Sequence, residues 1–352
     1  MASCWRAMKA QGAFEPKIVC LRELRGDRSA PPFGAEVTAG LDVTYLSEAE
    51  ANSWSQVAER IASIDPAGVV VAGWKFRGYA ALFRSAAHQS LSLVLGCDNP
   101  YRGDWRQRLG YWRVRPLLQR ADRIAVPGKR GAALMDFWRV PASKVFRGLY
   151  GVDDQAWDPC GGLRRGLPDW PRRFLFVGRL DERKGVDLLL AAYARYRQQV
   201  ADPWELRLVG CGPLDQAPAG QAGVTHLPYV APRDLPREMV AAGAFVLASR
   251  YDAWPLAIVE AAAAGLPIIA SDACGSSDEL VTSQENGLIV PSGSVSDLGE
   301  ALIWFDQHAD VLPRWGDVSR VKAAPYSASR WARTWGDQLA QTIQQRAPKT
   351  EG

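Results

Sequence analysis

The stretch Phe174-Leu-Phe-Val-Gly-Arg-Leu-Asp-Glu-Arg-Lys-Gly185 decides the fold. Four apolar residues end in a glycine, a polar turn with two cations follows, and residues 184–200 continue with Val186, Leu189, Leu190, Tyr193 and Val200 at helical spacing. A strand turning through glycine into a helix is the unit from which parallel sheets are wound. The same grammar recurs in apolar runs at 206–210, 245–249, 267–270 and 287–290. The second half therefore predicts a doubly wound α/β domain.

Upstream, runs at 17–21, 69–72, 92–95 and 124–126 predict a second α/β domain. Residues 1–11 look like the tail of a helix, so the strand and Gly-rich turn that ordinarily open a nucleotide-gripping domain read as missing or degenerate. Residues 153–173, with Pro159, Gly161, Gly162, Gly166, Pro168 and Pro171, have the punctuation of a linker. The expected domains are 1–165 and 166–325. Residues 326–352 hold a last helix from about 328 to 345 and a frayed tail from 347. A helix is also expected over 294–308, followed by a stretch containing Pro and Trp.

Composition narrows the classes. A chain of 352 residues, 47% hydrophobic and 23% charged, has room for two cores and is unlike disordered, collagen-like or disulfide-stapled proteins. The longest apolar stretch, 257–271, is broken by Glu260 and Pro267 and falls short of the ~18 residues of a membrane span. Residues 1–11 lack the apolar centre of a secretory signal, which places the protein in the cytoplasm. Six scattered cysteines read as reduced structural thiols, and His88, His226 and His308 are too dispersed to suggest a metal site or a triad.

Charge is uneven. Residues 1–151 hold 22 Lys and Arg against 13 acids, whereas the remainder holds 20 against 25. The excess concentrates in residues 101–123, where seven arginines meet two aspartates among Trp105, Tyr111 and Trp112. Such a segment suits an anionic partner or is a solvated helix face with snorkelling arginines. No nucleic-acid-binding motif accompanies it, so the preferred partner is an anionic membrane surface, at the inner face of the membrane, or a lipid-linked acceptor.

Three features carry chemistry. Val177-Gly178-Arg179-Leu180 with Lys184-Gly185 sets a planar cation and a point charge at the carboxyl end of a strand, a setting for a diphosphate or for two cations that merely solvate a turn. Val209-Gly210-Cys211-Gly212-Pro213 puts glycines where backbone turns sharply or approaches a ligand. Asp252-Ala-Trp-Pro255-Leu256 leads into a helix whose free N–H groups favour phosphate. Glu260 lies in the apolar run that follows, where an unpartnered carboxylate is costly and a hydroxyl partner is favoured.

An acid, seven residues, Glu, then Ala-x-Ala-x-Gly-x-Pro, downstream of Gly-Arg-Leu, Lys-Gly and Gly-x-Gly-Pro, resembles the donor domain of the retaining glycosyltransferases of family 4 (glycosyltransferase group 1), over roughly residues 174–310. The resemblance implies the GT-B fold: two Rossmann-like domains facing across a cleft, with the last helix crossing back to the first domain. It implies transfer of a sugar from a nucleotide diphospho-sugar donor to a sugar, lipid-linked or small-molecule acceptor. No cofactor or metal is expected, since no Asp-x-Asp triplet occurs. By resemblance Arg179 and Lys184 hold the diphosphate, Glu260 the ribose hydroxyls and Asp252 the sugar hydroxyls. Gly178, Gly210, Gly212, Pro255 and Leu256 line the donor, and Tyr229 and Val230 lie by the base. Phe33-Gly34, Gly40-Leu-Asp42, Gly96-Cys-Asp98-Asn99 and Val126-Pro-Gly128 look like acceptor-domain landmarks, with Asp98 as the candidate acceptor-side residue or a turn-forming Asp. The chain departs from the family in carrying Asp252 for Glu and in lacking a recognisable first Gly-rich loop. A nucleotide-sugar epimerase or hydrolase, or a noncatalytic nucleotide-sugar-binding relative, are the alternatives.

Overall fold

In a computed structural model, which describes residues 1–21, 38–85 and 91–346, the chain divides into two α/β units. Phe33-Gly34, His88 and the tail from 347 lie outside the described residues.

The first unit opens with helix α1 (Ala2–Gln11), ended by Gly12 in the left-handed conformation. Strands β1 (Lys17–Leu21) and β2 (Asp42–Leu46) pair in parallel, and β3 (Gly68–Ala72), β4 (Ser92–Gly96), β5 (Arg123–Val126) and β6 (Val145–Arg147) form a parallel four-stranded sheet. Alternation along these strands feeds two cores. Leu93, Leu95, Ile124 and Val126 face one, whereas Val94 and Ala125 face the other. Helix α2 (Trp105–Arg120) sends Val114, Leu117 and Leu118 into the first of these cores.

The second unit begins at Val152. Its strands β7 (Arg173–Val177), β8 (Glu205–Val209), β9 (Val224–Leu227), β10 (Ala244–Leu247), β11 (Ile268–Ser271) and β12 (Gly287–Val290) are all parallel, in the order β12-β11-β10-β7-β8-β9. In order of appearance that is 3-2-1-4-5-6 read from β9, the doubly wound arrangement, and its direction reverses between β7 and β10. The strands read as apolar runs because both faces are covered, with Phe174, Leu175, Phe176, Leu206 and Phe245 fully buried.

One sequence expectation is corrected, and several segments left unassigned by the sequence carry regular structure. Residues 154–165 are not a linker but helix α3 (Asp154–Arg165), and the division falls at 151/152. One of its glycines, Gly161, serves packing. Trp157 and Cys160 are buried, and a Cβ on Gly161 would lie 1.6 Å from the Arg320 guanidinium. Arg164 is buried too, donating to the carbonyls of Met239, Val240 and Ala242. The short strands β2, β6 and β9 went unpredicted, being three to five residues long and half-exposed. After helices α4 (Val186–Gln199), α5 (Leu256–Ala263) and α6 (Val295–Gln307), the Pro- and Trp-containing stretch holds helix α7 (Leu312–Ala323), whose Trp315 stacks on Trp304 at 4.8 Å.

The last helix, α8 (Ala328–Arg346), belongs to the first unit. Trp331 and Trp335 pack with Trp5 of α1, and their indole N–H groups donate to the carbonyls of Leu149 and Gly148. Arg346 pairs with Asp122.

Candidate active site

In open α/β sheets ligands bind beyond the carboxyl ends of the strands, where strand order reverses. In the second unit that place lies between β7 and β10. The turn after β7 carries Gly178, Arg179 and Lys184, and the loop after β10 carries Asp252, Pro255 and Leu256. Lys184 Nζ meets Asp252 Oδ2 in a short ion pair that ties the two segments together. Asp252 is 8% exposed. Losing either partner would strand a desolvated charge.

The turn after β7 is held rigid. Asp181 accepts from the Lys184 backbone N–H at 2.8 Å and lies 3.3 Å from Arg179 Nε. Arg250, just past β10, forks onto both oxygens of Asp187 at 2.7 and 2.6 Å, and its own N–H donates to the Arg183 carbonyl. The Arg250 guanidinium holds the Asp187 carboxyl below its ordinary value. Sequence reading missed Asp181, Asp187 and Arg250. An aspartate three residues before Lys184 was a legible turn signal, whereas the Arg250–Asp187 fork spans 63 residues and leaves no local trace.

Gly210 and Gly212 sit in the loop after β8, and two backbones cross there. Leu180 N–H donates to Cys211 O, and Leu214 N–H to Leu180 O. A Cβ on Gly210 would lie 1.9 Å from the Gly178 carbonyl oxygen, and one on Gly212 2.2 Å from that of Leu180. Close approach between protein segments thus accounts for both glycines.

Helix α5 starts after Pro255 with no side-chain cap. Its first two N–H groups, of Leu256 and Ala257, precede the bond from Ile258 N–H to Pro255 O and face the helix start, and the helix dipole adds to their pull on an anion. The loop before it is pinned to the segment after β11: Asp252 N–H donates to Ala273 O, Gly275 N–H to Asp252 O, and Ser276 Oγ to Pro255 O at 3.1 Å. Trp254 is buried, and its indole N–H has no hydrogen-bond partner among the described residues.

Glu260 lies on α5 beyond its first turn. Burial pushes its carboxyl up to about 7. Among the described residues nothing hydrogen-bonds or pairs with that carboxylate, and Glu260 as a whole residue is half-buried. An acid in this setting is an acceptor awaiting a donor. Tyr229 and Val230 follow β9, and Tyr229 is 47% exposed. Asp98 belongs to the first unit, past the end of β4, where Tyr150 donates to it at 3.3 Å. No group of three or more His, Cys, Asp and Glu among the described residues is arranged to hold a metal. A cavity of about 380 Å³ lined by Asp153, Trp157, Arg320 and Ala324 contains none of the predicted site residues.

Comparison with known proteins gives the class first. The fold is GT-B, two Rossmann-like domains with parallel sheets. The chain superposes on Anabaena Alr3699/HepE in complex with UDP with a TM-score of 0.73 and 16% identity, covering 97% of this chain and 96% of that one. It superposes on sucrose-phosphate synthase from Thermosynechococcus elongatus with a TM-score of 0.71 and 17% identity, over 97% and 92%. Residues 171–307, which hold every second-unit site residue, match the family model described as Glycosyl transferases group 1. The GDP-mannose-dependent alpha-mannosyltransferase of Mycobacterium tuberculosis is 33% identical over 57% of this chain and 52% of its own length. The alpha-D-kanosaminyltransferase of Streptomyces kanamyceticus is 27% identical over 67% and 62%. The matches span 48% to 62% of the length of the curated relatives compared first. No described helix is long and apolar enough to cross a membrane.

Proposed function

We propose that this chain transfers a sugar from a nucleotide diphospho-sugar to an acceptor hydroxyl, with retention at the anomeric carbon. The observation that carries the reading is the meeting of Lys184 and Asp252 across the strand-order reversal, with Glu260, whose carboxylate has no partner among the described residues, on the helix that follows Asp252. In this reading Arg179, Lys184 and the N-terminus of α5 face the diphosphate. As the bond from the anomeric carbon to the phosphate oxygen breaks, its electron pair leaves with the nucleoside diphosphate, and these groups offset the growing charge. The acceptor oxygen forms the new bond to the anomeric carbon and passes its proton to the departing phosphate oxygen. Glu260 accepts from the ribose hydroxyls, and Asp252, steered by Lys184, from the sugar. Tyr229 and Val230 flank the base, and Asp98 stands on the acceptor side.

The fixed cations do the work that a divalent ion does elsewhere, so the proposal includes no metal. Mass-spectrometric turnover of UDP-, GDP- and dTDP-sugars in EDTA, with and without candidate acceptors, tests it. Release of one nucleoside diphosphate, stimulated by an acceptor and abolished in Glu260→Ala, is the expected result. Release that ignores every acceptor points to a hydrolase, and bound but intact donors point to a noncatalytic relative. Turnover that requires added metal refutes the metal-free part.

A further inference from the structure

Helix α2 presents a second face that the proposed chemistry does not use. Opposite its core-facing Val114, Leu117 and Leu118, it leaves Trp105 65%, Leu109 62% and Trp112 65% exposed. At about 3.6 residues per turn, these three and Pro116 fall within roughly 60° of one another around the axis. Arg106 and Arg113 border the stripe on one side, and Arg108 and Arg115 border it on the other. All four arginines are exposed, and none forms an ion pair among the described residues. The two nearby acids are engaged elsewhere: Asp104 caps α2 by accepting from Gln107 N–H, and Asp122 is held by Arg346 and Arg120. Arg106 and Arg115 lie over the rings of Trp105 and Trp112, at 5.6 and 5.5 Å from the centroids.

A single exposed apolar side chain is ordinary. Three large ones aligned on one outward stripe, flanked on both sides by uncompensated guanidinium groups, match a helix lying in a bilayer interface. There tryptophans sit at headgroup level and cations reach lipid phosphates on either side. Leu109 and Pro116, in the middle of the stripe, offer a nucleic-acid strand neither stacking nor charge, whereas they suit the acyl boundary. We propose that α2 docks this chain on an anionic lipid surface. Trp105, Leu109 and Trp112 insert, and Arg106, Arg108, Arg113 and Arg115 contact the lipid phosphates. This docking is independent of the donor-site reading.

The test is co-sedimentation of the full chain with vesicles of phosphatidylcholine, alone or mixed with phosphatidylglycerol. Binding to the mixed vesicles alone, weakened by salt, is expected. Each arginine near an anionic surface contributes about fivefold in partitioning, so changing all four to Gln lowers binding by two orders of magnitude or more, while changing all four to Lys preserves it. Trp105→Ser with Leu109→Ser and Trp112→Ser also abolishes binding. Unchanged melting temperatures show that both sets fold. Failure of the folded wild type to bind mixed vesicles overturns the proposal, as does binding that neither set alters. Two further results overturn it: a wild-type dimer that the Ser set converts to monomer without vesicle binding, and single-stranded RNA displacing the chain from vesicles.

Discussion

The rim of the second unit and the outer face of α2 are both rich in charge, yet they use it in opposite ways. At the rim, cations meet acids: Lys184 with Asp252, Arg250 with Asp187, Arg179 with Asp181. Along α2, Arg106, Arg108, Arg113 and Arg115 have no acidic partner among the described residues. Paired charges in a partly desolvated turn fix geometry, and removing one leaves the other without compensation. Unpaired guanidinium groups in water contribute little to folding, and their charge is left open to a partner outside the chain. The contrast separates charges that hold loops of the chain together from charges left to solvent, which the proposed docking would use.

The sharpest way to break this division is at Arg179. Arg179→Ala is expected to lower donor turnover by about 10² to 10³, the usual loss for one group that stabilises developing negative charge. Near-normal rates in a steady-state assay would move Arg179 out of the site. Next, Lys184→Met should cost about 3 kcal/mol of stability by urea denaturation, the lower end for a buried pair losing one member. Adding Asp252→Leu should restore part of that loss, since no charge is then stranded.

Glu260 gives a pH test of intermediate size. Its folded value of about 7 lies above the ordinary 4.5 of a glutamate. The charged form is therefore disfavoured in the folded state. The stability linked to this group is fully present below about pH 4.5 and lost as pH rises through about 7. Glu260→Gln should raise the melting temperature at pH 8 and change it little at pH 4. Nucleotide affinity, measured by calorimetry, should rise about tenfold from pH 6 to pH 8 as the acceptor ionises, and the slope should vanish in Glu260→Gln. The smallest expected effect sharpens the comparison from the other side. Changing all four unpaired α2 arginines to Gln should shift stability by no more than about 0.5 kcal/mol per site, and a larger loss would mean that they are part of the fold.

Much of the second unit was legible because its signals are local. Strands β7, β8, β10, β11 and β12 are apolar runs bounded by glycine or proline, and α4 repeats its apolar residues at helical spacing. Strands β2, β6 and β9 were hidden by their half-exposed, short sequences. Residues 154–165 misled for a different reason. Gly161 reads as a breaker until the Arg320 side chain is seen to occupy the space where its Cβ would be. Gly210 and Gly212 were read as places where backbone turns or nears a ligand, and the nearest neighbour proved to be the chain itself at Gly178 and Leu180.

An acid and a glutamate eight positions apart, two cations after a strand, and a Trp-Arg-rich helix are properties of order and spacing, so residue types alone announced an α/β domain and its candidate site residues. That Lys184 takes Asp252 as its partner depended on β7 and β10 becoming neighbours although 66 residues lie between the two strands. Glu260 could be flagged in its apolar run from sequence, but its lack of a partner follows from what the folded chain packs around it. In the same way, the arginines of α2 could be counted in advance, and only the burial of Val114, Leu117 and Leu118 turned Trp105, Leu109 and Trp112 to the outside. Local chemistry is written along the chain, whereas desolvation and pairing arise only when distant segments exclude water together.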